Sequence, residues 1–145
     1  MKMTILRGIP GAGKSFFARP LLDAGAALAS ADSFFMVEGE YIFNPALIGQ
    51  AHGFCFKTAL AAVQSGRDVV VDNTATSIAE IAPYMLLGTS HDYQVEIVLV
   101  QPPSVEIAAA RNTHGVPAEV VQRMADAIAR DTLPPWWAQR TVQGQ

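Results

Sequence analysis

Residues 8–15 read Gly-Ile-Pro-Gly-Ala-Gly-Lys-Ser and satisfy the pattern Gly-x-x-x-x-Gly-Lys-Ser/Thr in full. The pattern dictates local structure before it says anything about chemistry. Glycines at 8, 11 and 13 let the backbone curl until several N–H groups point inward as an anion nest. A helix starting just after them adds the positive end of its dipole. That construction needs a strand leading in and a helix leading out. Met3-Thr-Ile-Leu6 is apolar enough for a buried strand, and Ser15–Ala24 reads as a helix stopped near Gly25.

The remaining chain keeps the same alternation. A weak alanine-rich strand is expected over Ala27–Ala31, ending at Asp32. Asn44-Pro45 resembles an N-cap followed by proline, opening a helix with Leu47, Ile48, Ala51, Cys55, Ala59, Ala62 and Val63 on one face as far as Gly66. Asp68-Val-Val-Val-Asp72 is uniformly apolar between its carboxylates, as a parallel strand covered on both faces must be. Ser77 and Glu80 form a capping box for a helix towards Gly88. Val95–Val100 is a strand, Ser104–Arg111 a helix, and Pro117 opens an amphipathic helix bearing Val120, Val121, Met124 and Ile128. Strands alternating with helices imply an α/β fold: a three-layer α/β/α sandwich around a mostly parallel sheet. With 145 residues, half of them apolar, the chain suffices for one core, and a single domain over residues 1–145 is expected.

Composition excludes several classes. The single cysteine, Cys55, rules out an internal disulfide framework. No apolar run approaches the roughly 20 residues of a bilayer span. Met1–Arg7 is too short for a secretory leader, so a cytoplasmic location is expected, with no membrane and no obligate protein partner. Ten Lys+Arg against thirteen Asp+Glu give a net charge of −3, which argues against holding nucleic acid by phosphate neutralisation alone. Brief contact with a nucleic acid at a catalytic site remains compatible.

In a parallel sheet, ligands bind beyond the carboxyl ends of the strands, and that rule selects the chemistry-bearing residues. Gly8, Gly11, Ala12, Gly13, Lys14, Ser15 and Phe16 would hold a nucleoside triphosphate, Lys14 reaching its β- and γ-phosphates. The Ser15 hydroxyl and Asp72, at the end of the valine strand, would hold Mg²⁺, with Asn73 and Thr74 in support. Asp32 sits where it can accept a proton from an acceptor hydroxyl as a bond to phosphorus forms. Arg111, at the start of the turn-rich segment Arg111–Pro117, would bring a cation to the transferring group, in a lid hinged at Gly115. Arg123 could assist, and His114 lies in the same segment. Phe34, Phe35 and Tyr41 beside Asp32 could stack on a base or pack as core. His52 could face the acceptor or solvent. Trp136 and Trp137, following Pro134-Pro135, are expected to turn the tail back onto the body.

Taken in order, Leu6–Ser15, Ser30-Ala-Asp32, Ala51-His52, Val69-Val-Val-Asp-Asn-Thr74 and Arg111–Pro117 resemble the polynucleotide-kinase-like branch of the P-loop kinases, over residues 2 to about 130. The resemblance implies a P-loop kinase fold with an arginine lid, ATP and Mg²⁺ as cofactors, and transfer of the γ-phosphate to a hydroxyl, frequently on a nucleic acid bound transiently. It implies Lys14 and Ser15 in phosphate and metal roles, Asp32 as base and Arg111 in the lid. Two departures matter. Phe16-Phe17 replaces the threonine and small apolar residue of many members, and Gly115 stands where phage polynucleotide kinase has a second lid arginine. A kinase this small also resembles the phage 5-hydroxymethyluracil DNA kinases, which act on a base hydroxymethyl group and would work in the host cytoplasm. The alternatives are a small-molecule kinase acting on a sugar or metabolite, and an ATP-binding switch that transfers nothing.

Overall fold

The computed structural model describes residues 1–145. In chain order it runs β1 (Lys2–Arg7), α1 (Lys14–Asp23), β2 (Ala27–Ala29), a 3₁₀ turn (Ala31–Phe35), a hairpin of β3 (Met36–Val37) and β4 (Glu40–Tyr41), and a second 3₁₀ turn (Pro45–Leu47). It continues with α2 (Ile48–Gln64), β5 (Val69–Asp72), α3 (Ile78–Ser90), β6 (Gln94–Gln101), α4 (Val105–Arg111), α5 (Ala118–Arg130) and β7 (Gln139–Gln143). Five strands form one wholly parallel sheet in the order β2–β5–β1–β6–β7. No helix is long and apolar enough to cross a membrane.

Alternation along the strands divides the core into two layers. Met3, Ile5, Val69, Val71 and Ile97 face α2 and α3, meeting Cys55, Ala59, Ile81, Tyr84 and Met85. Leu6, Val70, Val98 and Val100 face the other way, against Ala18 of α1, Ala108 of α4 and Val121 of α5. Both faces of the sheet are thus covered, which is why Val69-Val70-Val71 shows no polar alternation. The expected α/β/α sandwich is the fold observed.

Local signals hold at most helix starts. Ser77 and Glu80 complete the capping box, the Ser104 hydroxyl accepts the N–H of Ile107, and Asn44 accepts that of Ala46. Elsewhere the structure corrects the reading. The strand expected over Ala27–Ala31 ends at Ala29, because Ser30 caps a 3₁₀ turn by accepting the N–H of Asp32 at 3.2 Å. Asp32 therefore sits in that turn and not at a strand end. Helix α3 continues past Gly88 to Ser90, since Gly88 packs close against Val95 and Met3 and does not stop the helix.

Two elements were not anticipated. The β3–β4 hairpin turns through Glu38 and Gly39, both at positive φ, 50° and 85°. Strand β7 extends the sheet beside β6, its Arg140 pairing with Glu96 at 2.8 Å. Trp137 packs against the core ahead of it, whereas Trp136 stays exposed.

Candidate active site

The glycine loop joins β1 to α1 at the carboxyl end of the sheet, as the parallel topology requires. Gly13 takes a left-handed conformation (φ 101°) as N-cap of α1, a conformation costly for other residues. Gly11 is fixed by a neighbour: a Cβ there would land on the carbonyl of Ala108 in α4. The loop thus lies backbone to backbone against the helix that ends in Arg111. Lys14 folds back over the loop, its Nζ donating to the carbonyls of Gly8 (2.9 Å) and Ile9 (3.1 Å). Those two bonds occupy the ammonium.

Asp72 ends β5 in register with Leu6 of β1, and the N–H of Gly8 donates to the carbonyl of Thr74 at 3.0 Å. Loop and carboxylate are therefore stitched at adjacent strand ends. Burial pushes the Lys14 ammonium down, with the charges of Asp72 and Asp32 resisting. Burial pushes the Asp72 carboxyl up, opposed first by Lys14, reinforced by Asp32, and opposed further by the Ser15 hydroxyl and His114. These mutual effects bring Lys14, Ser15, Asp72, Asp32 and His114 into one electrostatic site. A buried carboxylate held above its ordinary range favours a cation beside it.

The donor set suits one kind of metal. No three His, Cys, Asp or Glu side chains gather to hold an ion alone. Mg²⁺ asks for less, because it keeps waters and takes one or two protein oxygens together with substrate phosphates. Ser15 and Asp72 beside the phosphate loop fit it on those terms.

Asp32 stands across the site, half exposed. The Tyr41 hydroxyl, from the hairpin, donates to its Oδ1 at 3.0 Å, and Nε2 of His114 lies 3.5 Å from its Oδ2. Burial, then the bond to Asp32 and its charge, raises the Tyr41 phenol and keeps it protonated. Behind Tyr41 lies an aromatic cluster. Tyr41 stacks on Phe43, while Phe35 meets Phe34, Tyr41 and Phe43 edge-on. Phe35, only 4% exposed, is the centre of that packing and has no face free for a ligand. Phe34 leans on Phe54 at its margin.

Asn73, expected in support of Asp72, braces the turn before Asp32. Its Oδ1 accepts the N–H of Ala31 and its Nδ2 donates to Cys55 Sγ, which uses both ends of the amide. His52, half-buried on α2, and Arg123, exposed on α5, do not join the Asp32 cluster, whose side-chain contacts are Tyr41 and His114. Arg111, at the end of α4, donates to the carbonyl of Gln145. Flanking the loop, a groove of about 330 Å³ runs between Gly13, Phe16, Phe17 and Leu21 on one side and Gln143–Gln145 on the other.

One residue of the site escaped the sequence reading. Arg7 is 4% exposed although charged, and its guanidinium donates to the carbonyls of Ala75 (2.8 Å) and Thr76 (3.1 Å). It fixes the turn that follows Asp72. Its signal was present: an arginine closing an otherwise apolar strand, directly before the first loop glycine.

A model of the AAA domain family AAA_33 matches residues 3–131. The chain belongs to this family. It is 33% identical over 142 residues to human NEDD4-binding protein 2, covering 92% of this chain and 8% of that protein, so it spans a small part of that relative's length. A chain of the Pnkp1/Rnl/Hen1 RNA repair complex has a similar fold, with a TM-score of 0.69 at 20% identity over 88% of this chain and 44% of the other. A sugar kinase from Janibacter sp. HTCC2649 is similar as well, with a TM-score of 0.64 at 17% identity over 99% and 85%. At such identities the likeness is one of fold, and the fold is that of the P-loop kinases.

Proposed function

We propose that the chain is an ATP-dependent kinase that transfers the γ-phosphate to a hydroxyl held at Asp32, with a nucleic-acid hydroxyl as acceptor. The observation that carries this reading is Asp32 held near Asp72 through the Asn73–Ala31 hydrogen bond, with one carboxylate oxygen tied to Tyr41 and the other bordered by His114.

The residues divide the work as follows. Lys14 leaves the carbonyls of Gly8 and Ile9 for the β- and γ-phosphates, and the loop N–H groups take the remaining phosphate oxygens. Ser15 and Asp72 would hold Mg²⁺, which would supply positive charge against the phosphates. Asp32 accepts the acceptor's proton at Oδ2 as the new O–P bond forms, while the bond between the γ-phosphorus and the bridging oxygen breaks and ADP leaves. Arg111 meets the charge spread over the moving phosphoryl group. The groove beside Phe16 and Gln143–Gln145 receives the nucleoside.

The Tyr41–Phe43 stack beside Asp32 supports a nucleic-acid acceptor, since such a surface can hold an unpaired base. A second reading, a small-molecule kinase, is favoured by the acidic hairpin. Glu38 and Glu40 are exposed next to Asp32 and repel a polyanion.

The deciding experiment offers γ-labelled ATP with Mg²⁺ and four acceptor conditions. These are a 5′-hydroxyl oligonucleotide, a 5′-phosphorylated one containing 5-hydroxymethyluracil, an unmodified 5′-phosphorylated one, and a set of sugars. Label on either of the first two supports the nucleic-acid acceptor, and label on a sugar alone replaces it with the second reading. Bound ATP with no labelled product leaves a switch module. Lys14→Ala should abolish transfer, and Asp32→Asn should keep ATP binding while lowering turnover by roughly 10²–10⁴-fold.

A further inference from the structure

We propose that the chain carries a second ligand site, a small cavity at Arg7 that takes a short-chain organic carboxylate. The site is separate from the phosphate loop and does not depend on the kinase reading. It begins with a charge that has no counter-ion beside it. Arg7 is 4% exposed yet forms no ion pair; the pairs of the chain are His114–Asp32 and Arg140–Glu96. Its Nε and Nη2 are spent on the carbonyls of Ala75 and Thr76, and Nη1 has no partner in the chain. No side-chain nitrogen or oxygen is both sealed off and unpartnered, so Nη1 reaches open space.

That space is a cavity of about 120 Å³ bordered by Arg7, Ile97, Leu99, Leu133, Gln139 and Thr141. The strand register explains it. Arg7, Leu99 and Thr141 stand in one row across β1, β6 and β7, with Ile97 and Gln139 in the same relation two residues earlier. Residues two apart on a strand share a face, so all five lie on the side of the sheet where Ile97 joins the α2–α3 core. Leu133 closes the space from the segment after α5. Arg140 borders it too, but its guanidinium turns to Glu96 and over the Phe17 ring, on the opposite face. Gln139 spends its Nε2 on the Pro134 carbonyl, which leaves the Thr141 hydroxyl, unpartnered in the chain, as the second donor.

This lining selects a class of ligand. A buried guanidinium is unfavourable unless a negative charge answers it. Burial pushes the Arg7 guanidinium down, opposed by the charges of Asp131 and then Glu80. Both carboxylates act from a distance, engaged by the N–H of Ile78 and by Thr76 and Ser77. Nη1 itself lacks an acceptor, and a carboxylate oxygen is a strong one for such an N–H. The two distant carboxylates favour a ligand of single charge over a phosphate dianion. Beyond the guanidinium the floor is aliphatic, from Ile97, Leu99 and Leu133, which suits a hydrocarbon body behind the charged end. About 120 Å³, against roughly 30 Å³ for a water molecule in the liquid, admits an acid of a few carbons.

The test uses the whole chain with butyrate as the probe. Butyramide serves as its uncharged counterpart of the same shape, and chloride at equal ionic strength as the control. Binding is read from the methyl NMR signals of Ile97, Leu99 and Leu133. Butyrate should shift them saturably and bind at least about tenfold more tightly than butyramide, a difference near 1.4 kcal/mol. Chloride should leave them in place. Thr141→Phe sets a ring at the mouth of the cavity, from an exposed strand position that tolerates an aromatic, and should weaken butyrate at least about tenfold. Arg7→Met should reduce butyrate to the level of butyramide, a loss of charge selectivity that a purely structural arginine would not show. If Arg7→Met fails to fold, Thr141→Phe decides, since it lies outside the core. Equal binding of butyrate and butyramide, or butyrate affinity unchanged in Thr141→Phe, overturns the site.

Discussion

The side-chain carbonyl of Asn73 accepts the backbone N–H of Ala31 at 3.0 Å, so the residue after Asp72 grips the residue before Asp32. Asp72 ends β5 and Asp32 sits in the 3₁₀ turn after β2, so this amide continues the β2–β5 pairing up to the two carboxylates. Its other end donates to Cys55 Sγ at 3.4 Å, and the same sulfur accepts the Tyr84 hydroxyl at 3.0 Å. Burial raises the Cys55 thiol against those two hydrogen bonds and keeps it neutral. The network is a frame for the carboxylates and offers no reactive thiol.

Asn73→Leu keeps the volume and removes the frame. It leaves the Ala31 N–H without its partner, a loss of about 1–3 kcal/mol of stability in denaturant unfolding. Turnover should fall while ATP affinity changes little, because the phosphate loop is not touched. Equal losses in both would mean that Asn73 acts on the loop instead of on Asp32.

Arg7 supports the same strand ends from beneath. Arg7→Met fills the space but abandons the carbonyls of Ala75 and Thr76. A charged donor to a carbonyl contributes about 1.5–3 kcal/mol, so the midpoint of thermal unfolding should drop clearly. Weakened Mg²⁺ dependence of ATP binding should accompany it, because the turn after Asp72 is released. A stable variant with parental Mg²⁺ dependence would reduce Arg7 to a bystander.

Gly11 tests the junction between loop and lid helix. Alanine there must push Ala108, and with it α4, away from the phosphate loop. ATP affinity should fall at least about tenfold, near 1.4 kcal/mol, measured by titration calorimetry. Unchanged affinity would show that α4 can retreat without cost.

Much of this architecture was legible because several constraints coincide in the same residues. Met3–Leu6 and Val69–Val71 are apolar on both faces, which only a covered parallel strand permits, and each runs into a residue of the site. The 3₁₀ turn at Asp32 was hidden because Ser30 overrides an alanine run whose own preference is weak. The β3–β4 hairpin was hidden because its turn places Glu38 at positive φ, without the usual Asn-Gly signature. Strand β7 was hidden because Gln-Arg-Thr-Val-Gln has one apolar residue; the open edge of β6 and the Arg140–Glu96 pair recruit it. The roles of Asn73 and Phe35 were obscured for a related reason. Sequence places a residue near a site, but contacts decide whether it faces the ligand or the frame.

Asp72 joins the site to stability through pH. Its carboxyl is raised above its ordinary range by burial, so between the ordinary and the raised value the folded state binds more protons than the unfolded one. In that window stability must decrease as pH rises, and the full cost of the buried charge is present above it. Asp72→Asn removes the titration. Nucleotide-free Asp72→Asn should therefore match or exceed the parent in stability near neutral pH. The difference should shrink as pH falls through the raised value, read by urea unfolding at a series of pH values. The same substitution should weaken Mg²⁺-dependent ATP binding, since the charge that burdens the empty site is the one that would hold the metal. A parent and variant with superimposable pH profiles would show that Lys14 already compensates Asp72 in full.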